Sequence, residues 1–111
     1  RGITVESDIS ITRTLSADKE ALVFRVAQEA VRNVEKHARA TTMHVKLESR
    51  DMLKLVISDD GIGIPDTQAP DGHLGLQLVR DLVTASGGTL AVSRNAGEGT
   101  TLTMEIRGEH E

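Results

Sequence analysis

The chain has 111 residues, 38% of them hydrophobic and 27% charged, with a formal net charge of −4 and no cysteine. Its length predicts one domain, residues 1–111, and its composition indicates a soluble globular chain rather than a disordered or membrane-spanning one. The absence of cysteine from the sequence excludes disulfide frameworks and cysteine-ligated zinc. The acidic balance and the single aromatic side chain argue against nucleic-acid binding.

Hydrophobic periodicity predicts five extended segments and two helices in the order β-α-β-β-loop-α-β-β. The predicted elements are a first strand within 2–14, a helix over about 17–38, strands at 43–48 and 53–58, a helix over about 74–86, and strands near 89–94 and 100–107. The second helix is expected to end at Gly87-Gly88, because glycine favours the left-handed conformation that terminates helices. Strands paired through hairpins predict an α/β two-layer sandwich, a mixed sheet with both helices on one face.

Six of the ten glycines form three pairs, at positions 61 and 63, 72 and 75, and 97 and 99. Glycine lets a ligand approach the main chain closely, although each pair is also compatible with an ordinary turn. Gly72 and Gly75 lie just before and at the start of the predicted second helix, where free N–H groups and the helix dipole bind anions. The sequence contains neither a P-loop nor a dinucleotide fingerprint, so a phosphate site here requires another fold.

A polar stripe follows one face of the predicted first helix. Glu29, Asn33 and Lys36 fall within an arc of about 40°, with His37 further round. A solvated helix face would explain this pattern, but asparagine is a poor residue in the middle of a helix. Its amide oxygen is a suitable ligand for Mg²⁺ that carries phosphates. Lys36 and His37 could then contact phosphate oxygens, and Glu29 could orient or deprotonate a nucleophile.

Four sequence boxes in order resemble one known family. The first is QEAVRNVEKHA at 28–38, which looks like the N-box of sensor histidine kinases of the NarL-type subfamily. The second, SDDGIGI at 58–64, resembles the adenine-binding Asp-x-Gly-x-Gly box. The third, GHLGL at 72–76, resembles the glycine-rich box that closes the ATP lid, and the fourth, GEGT at 97–100, resembles the final Gly-Thr box. The resemblance implies the ATP-binding fold shared by gyrase, Hsp-type chaperones, histidine kinases and MutL, with ATP and Mg²⁺ as cofactors.

Carried over by position, the resemblance makes Asn33 the Mg²⁺ ligand and Glu29 the candidate catalytic base, with Lys36 and His37 at the phosphates. The phosphate cradle would comprise the third box and the helix start, at Gly72, His73, Gly75 and Leu76.

At the adenine end, Asp59 would accept a hydrogen bond from the adenine amino group. Guanine would be rejected, because it presents a carbonyl oxygen to the same carboxylate. Gly61 and Gly63 would let the backbone approach the base, and Thr100 would support this end of the site through Asp59 or a water molecule.

The resemblance also implies partners. Besides His37 and His73, the chain has only His44, which we expect on a polar strand face, and His110 in the tail; none lies in an acidic phosphoacceptor motif. We therefore expect a monomeric catalytic domain that binds ATP without labelling itself. The chain begins at Arg1 without a signal peptide. We thus expect a fragment of a longer, cytoplasmic and homodimeric kinase, with a separate dimerisation and phosphoacceptor domain, a response regulator as partner, and any membrane anchor outside the fragment.

Two alternatives remain open from the sequence. An anti-sigma-factor-type serine kinase has the same fold and nearly this size, and would phosphorylate a serine of its partner. A non-catalytic module would bind nucleotide only as a structural switch, a reading that the presence of Glu29, Asn33 and Asp59 disfavours.

Overall fold

A computed structural model of the chain describes residues 4–12, 15–33, 41–61, 70–94 and 99–107, with the backbone alone at 33, 70–76 and 94. Within these ranges the elements follow the predicted order. They are β1 (Thr4–Ile11), α1 (Ala17–Asn33), β2 (Thr42–Ser49), β3 (Met52–Asp59), α2 (Pro70–Ala85), β4 (Thr89–Arg94) and β5 (Thr100–Arg107).

The five strands form one mixed sheet in the order β1-β2-β3-β5-β4. β1 pairs with β2 in parallel, as expected for two strands joined through a helix, and every other pair is antiparallel. β2 and β3 form a hairpin whose turn lies at Arg50 and Asp51, as predicted. The α/β two-layer architecture is therefore confirmed.

The core lies between one face of the sheet and the two helices. α1 contributes Leu22, Val26 and Ala30, and α2 contributes Val79 and Val83. Alternate residues of four strands meet them: Met43, Leu47, Leu53, Leu55, Ile57, Leu90, Leu102, Met104 and Ile106. Because strand side chains alternate between faces, the other face of the sheet carries polar residues. His44 is one of them; it is exposed, as predicted, and its Nδ1 lies 3.3 Å from a carboxylate oxygen of Glu6.

The ends of both helices follow from local chemistry. The Ser16 hydroxyl accepts a hydrogen bond from the N–H of Lys19 at 3.2 Å, so Ser16 caps α1. α2 ends at the predicted glycines: the N–H of Gly88 donates to the carbonyl of Val83 at 2.9 Å, and Gly87 has a φ of 88°. This is the Schellman arrangement, in which glycine avoids the steric cost of a left-handed residue.

One predicted helix boundary differs from the structure, and another lies outside the described residues. α1 is described to Asn33, and the predicted continuation through 34–38 lies outside the described residues. α2 begins at Pro70, four residues before the predicted start, so Gly72 and Gly75 lie inside the helix rather than ahead of it. Proline is favoured in the first turn of a helix, because its fixed φ suits the helix and its missing N–H would have no intrahelical partner. Within the described residues, neither helix is long and apolar enough to cross a membrane.

Candidate nucleotide site

Two polar residues close one end of the apolar core layer. Asp59 ends β3 and Thr100 begins β5, and the two are direct partners in the antiparallel ladder. Their side chains share the face of Leu55, Ile57 and Leu102, yet only 8% of Asp59 and 5% of Thr100 is exposed to solvent. A carboxylate and a hydroxyl are thus buried side by side at the end of the core, at two positions that the resemblance assigns to the adenine end of a nucleotide site.

The Asp59 carboxylate is largely shielded from solvent. Its Oδ1 accepts a hydrogen bond from the N–H of Gly61 at 2.8 Å. Burial raises the pKa of Asp59 above its ordinary value, and the neighbouring Asp60 carboxylate adds to this; the Gly61 N–H and the Thr100 backbone act in the opposite direction. A buried carboxylate lowers the stability of the fold unless hydrogen-bond donors compensate for its lost hydration. Carboxyl groups with pKa values perturbed in this way are common at functional sites.

The Thr100 hydroxyl has no hydrogen-bond partner in the part of the chain that the structure describes, although its oxygen is fully buried. The preceding Gly99 is also buried and has a φ of 95°, a conformation that side chains with a Cβ rarely adopt. Buried hydroxyls are paired in most proteins, so the Thr100 hydroxyl can still bond to a residue outside the described ranges, to a water molecule or to a ligand.

Asp60, the next residue, has a different role that the sequence analysis missed. Its Oδ1 accepts hydrogen bonds from the N–H groups of Thr41 at 2.8 Å and Thr42 at 3.0 Å, and its Oδ2 accepts one from the Thr41 hydroxyl at 2.8 Å. In return, the N–H of Asp60 donates to the carbonyl of Thr42 at 3.2 Å. We call these three residues the Asp60 clamp. It joins the beginning of β2 to the end of β3.

The clamp lowers the pKa of Asp60 below its ordinary value of 3.8, first through the Thr42 N–H and then through the Thr41 hydroxyl and N–H. Asp59 and Asp60 are therefore adjacent carboxylates with opposite shifts. A carboxyl group whose pKa is lower in the folded state than in the unfolded state stabilises the fold at pH values above its unfolded pKa. This stabilisation is lost as the pH falls through the folded pKa. A carboxyl group whose pKa is raised in the folded state destabilises the fold while it is charged. This destabilisation disappears as the pH falls through the folded pKa and the group becomes protonated.

These signs give a pH-dependent expectation for two variants. Between pH 6 and pH 3, Asp60→Asn should lose less free energy of unfolding than wild type, because the variant has no clamp charge to neutralise. Asp59→Asn should lose more than wild type, because it lacks the relief that protonation of Asp59 provides. Urea unfolding at pH 6, 5, 4 and 3 measures both differences. If the free energy of unfolding changed with pH in the same way for wild type and both variants, the assigned directions of the two pKa shifts would be contradicted.

The structure brings together only part of the predicted site. Asp59, Gly61 and Thr100 meet at one place, and Glu29 lies half-buried on α1, one helical turn before Asn33, the last described residue of that helix. Positions 72, 73, 75 and 76 lie in the first two turns of α2, so Leu76 does not start the helix as expected. Lys36, His37 and Gly63 lie outside the described residues. Among the residues that are described, no cluster of three acidic or histidine side chains forms a metal site.

Comparison with known proteins assigns the fold and the four boxes to one family. The profile for histidine kinase-, DNA gyrase B- and HSP90-like ATPases matches residues 18–110. The chain belongs to this ATPase family. The match spans both helices and four of the five strands, and the membership predicted from the boxes is confirmed.

Curated relatives of this ATPase domain are sensor kinases. It is 38% identical over 109 residues to UhpB of Salmonella typhimurium, a signal transduction histidine-protein kinase/phosphatase. It is 36% identical over 98 residues to the nitrate/nitrite sensor protein NarQ of Escherichia coli. These alignments cover 96% and 86% of this chain but 22% and 17% of the relatives, so the chain spans about a fifth of their length.

Solved structures give the same fold. The histidine kinase domain of the blue-light activated kinase EL346 from Erythrobacter litoralis superposes with a TM-score of 0.70 at 28% identity, covering 96% of this chain and 52% of that one. The mycobacterial sensor histidine kinase MprB also gives 0.70, at 24% identity, with coverage of 96% and 84%. This second likeness shows the fold alone.

Proposed function

We propose that this domain binds Mg-ATP and donates the γ-phosphate to a histidine on a separate phosphoacceptor domain of the same sensor kinase. The observation that carries the proposal is the pair of buried polar groups at the end of the core, the Asp59 carboxylate and the Thr100 hydroxyl, which has no hydrogen-bond partner among the described residues. Membership of the ATPase family and similarity to sensor histidine kinases support it.

Adenine fits the hydrogen-bonding needs of this end of the site. Asp59 receives the Gly61 N–H at one oxygen, and the Thr100 backbone also favours its charged form, yet burial still raises its pKa, so a further donor would stabilise the carboxylate. The exocyclic amino group of adenine supplies such a donor, whereas the carbonyl of guanine at the equivalent position would place two acceptors against each other. Thr100 can donate its hydroxyl to a ring nitrogen or to a bridging water. We therefore infer selectivity for adenine over guanine nucleotides.

The phosphate side of the proposal rests on the two helices. Asn33 is the last described residue of α1, and its neutral amide oxygen suits an ion that already carries anionic phosphates. α2 begins at Pro70, and its first-turn N–H groups and positive dipole end suit an anion. We propose Asn33 as the protein ligand of Mg²⁺, with Lys36 and His37 and the backbone around Gly72, His73, Gly75 and Leu76 at the phosphates. When bound, Mg²⁺ neutralises charge on the phosphate oxygens.

The proposed chemistry is phosphoryl transfer to nitrogen. An imidazole nitrogen of the acceptor histidine forms a bond to the γ-phosphorus, and the bond between that phosphorus and the β–γ bridging oxygen breaks, leaving ADP. Glu29 lies one helical turn from Asn33 on α1, and we propose that it orients the imidazole or takes its proton. The protein contributes mainly positioning and electrostatics, as in other phosphoryl transfers.

The partners of the whole kinase follow from the same proposal. The acceptor histidine and the dimer contacts would belong to a dimerisation domain of the same polypeptide, and a response regulator would take the phosphoryl group next. The kinase as a whole would be a homodimer with this domain in the cytoplasm, while the domain alone would be a monomer. No nucleic-acid contact is part of the proposal.

A titration of the isolated domain tests the nucleotide assignment. We expect Mg²⁺-dependent ATP binding by calorimetry, with GTP at least about a hundredfold weaker, because a site built to accept a hydrogen bond rejects a ligand that lacks the donor. In the same preparation, γ-labelled ATP should leave no label on the domain itself. Adding the phosphoacceptor domain of the same kinase should then give acid-labile label on histidine.

Three outcomes would contradict parts of this expectation. Equal affinity for ATP and GTP would overturn the adenine assignment of Asp59. Histidine labelling of the isolated domain would overturn the requirement for a separate acceptor. Acid-stable label on a partner serine would favour a serine kinase of the same fold.

A further inference from the structure

The first strand exposes three apolar side chains, Val5, Ile9 and Ile11, which we call the β1 patch. In the parallel ladder with β2 each of them pairs with a buried residue, so the patch lies on the face of the sheet that carries the helices. The three side chains are nevertheless 57%, 60% and 49% exposed, and no residue of β1 is buried. Alternating apolar and polar residues are typical of a strand with one buried face. The β1 patch therefore lacks the cover that its sequence pattern predicts.

The widths of the two layers explain why the patch is open. A helix is about 10 Å across and neighbouring strands are about 4.8 Å apart, so one helix covers about two strands. α1 contacts β3 and α2 contacts β4, which leaves β1 at the edge beyond α1. Among the described residues, the buried core comes from the two helices and β2 to β5, and none of it from β1. A third helix beside α1 would complete the layer.

The size of the β1 patch favours a tethered occupant over a separate protein. A stable interface between separate proteins buries about 800 Å² on each partner, whereas three partly exposed side chains offer only a few hundred. A segment of the same polypeptide needs less contact area, because its tether keeps it at a high local concentration. This chain spans about a fifth of the length of its curated relatives, so a whole kinase of that length has further polypeptide to supply such a segment.

A second copy of this chain fits the patch less well. The area argument applies to it equally, and the charges on β1 add to the argument. If the free edges of two β1 strands paired antiparallel around Ser7, Glu6 of each copy would lie opposite Asp8 of the other. Pairing around Asp8 would place the two Asp8 carboxylates opposite each other. Like charges in such positions destabilise a sheet, and each copy also carries a net charge of −4.

We propose that the β1 patch is the docking site of an amphipathic α-helix from the part of the kinase polypeptide outside this chain. Val5 and Ile11 are six residue steps apart, about 20 Å, which equals the length of about 13 helical residues. The helix would present apolar residues at alternating intervals of three and four. Ser7, a small residue between Val5 and Ile9, leaves room for one of them against the partly buried Val45 of β2. The inference rests on the proposed function only in taking this domain as part of a longer kinase.

Thiol alkylation in the isolated domain and in the whole kinase tests the docking site. This chain has no cysteine, so an introduced thiol reports on one position of the domain. We expect Ile9→Cys to react with iodoacetamide at least about tenfold more slowly in the whole kinase, because a position covered for about nine-tenths of the time reacts only in the remainder. Mass spectrometry of the peptide that contains β1 measures the rate. Asp8→Cys, the matched control on the opposite face of the same strand, should change less than about twofold.

A second set of variants gives an independent result. Ile11→Cys lies at the other end of the patch and should be protected in the whole kinase in the same way. Adding Ile9→Lys to it should restore the alkylation rate of the isolated domain, because burying a lysine ammonium under an apolar helix face is unfavourable. In the isolated domain, Ile9→Lys should change the urea midpoint little, since Ile9 is already largely exposed.

Each contrary outcome has a separate meaning. Equal rates in the two proteins for both Ile9→Cys and Ile11→Cys would overturn the docking site. Protection already present in the isolated domain would overturn it too, with a second copy as the occupant if that protection grew with protein concentration. Equal protection of Asp8→Cys would contradict docking on one face of β1. None of these measurements involves nucleotide, so a domain that fails to bind ATP would overturn the proposed function and leave this test unaffected.

Discussion

Asp59→Asn is expected to weaken ATP binding about thirty- to hundredfold without lowering the free energy of unfolding at neutral pH. A hydrogen bond to a charged group contributes about 1.5–3 kcal/mol, and a loss of about 2–2.7 kcal/mol within that range corresponds to this loss of affinity. The fold loses little, because the asparagine oxygen can still accept the Gly61 N–H. The substitution also removes a buried charge that is unfavourable for the fold, since burial raises the pKa of Asp59. The folded state should therefore be as stable as wild type or more stable.

The two effects separate a binding role of Asp59 from a structural one. Calorimetry with Mg-ATP measures affinity, and urea unfolding at pH 7 measures stability. Ser58→Ala is the matched control, because Ser58 precedes Asp59 on the same strand but lies on the opposite, polar face of the sheet. A variant that loses stability and affinity together would indicate that Asp59 serves the fold, and unchanged affinity would remove it from the adenine site.

The second large effect concerns stability alone. Leu55→Ala should lower the free energy of unfolding by about 2–5 kcal/mol, the usual range for removing a buried leucine side chain. Leu55 is 1% exposed on the central strand β3, and its ladder partners, Leu47 and Met104, are both core residues. A domain of this size has about 5–15 kcal/mol of stability in total. The variant should therefore unfold at a much lower urea concentration.

Val56→Ala provides the control for that measurement. Val56 is adjacent on β3 but half-buried on the polar face, opposite Lys46 and Thr103. Its replacement removes a β-branched side chain without leaving a cavity in the core, so a cost of at most about 1 kcal/mol is expected. Equal costs for the two variants would mean that the helices do not cover β3 as the structure shows.

The sequence predicted those elements whose signals are local. The β2–β3 hairpin follows from strict alternation on both sides of Arg50 and Asp51, and the end of α2 from the consecutive glycines at 87 and 88. The beginning of α2 was placed four residues late, because Gly72 and Gly75 suggest a loop when only propensity is considered. The structure continues the helix through both glycines, and Val79 and Val83 pack its later turns against the core.

Prediction of the site failed where contacts are distant in sequence. The sequence motif indicated Asp59 and Thr100, and the structure places them side by side. Nothing local indicated the role of Asp60, since its partners Thr41 and Thr42 precede it by 19 and 18 residues and face it only when β2 and β3 pair. The order of the strands in the sheet is non-local in the same way, because it depends on which edges the two helical connections reach.

The direction of the strands has a practical consequence for attaching labels to the domain. Thr4 lies beside Thr42, at the same end of the sheet as Asp59 and Thr100, whereas Arg107 lies beside Met52 at the opposite end. Seven residue steps of about 3.3 Å separate the two ends, roughly 23 Å. A fluorophore or affinity tag joined ahead of Thr4 would lie at the same edge of the sheet as the proposed adenine contact. One joined after Arg107 leaves that edge clear, which makes the second position suitable for immobilisation.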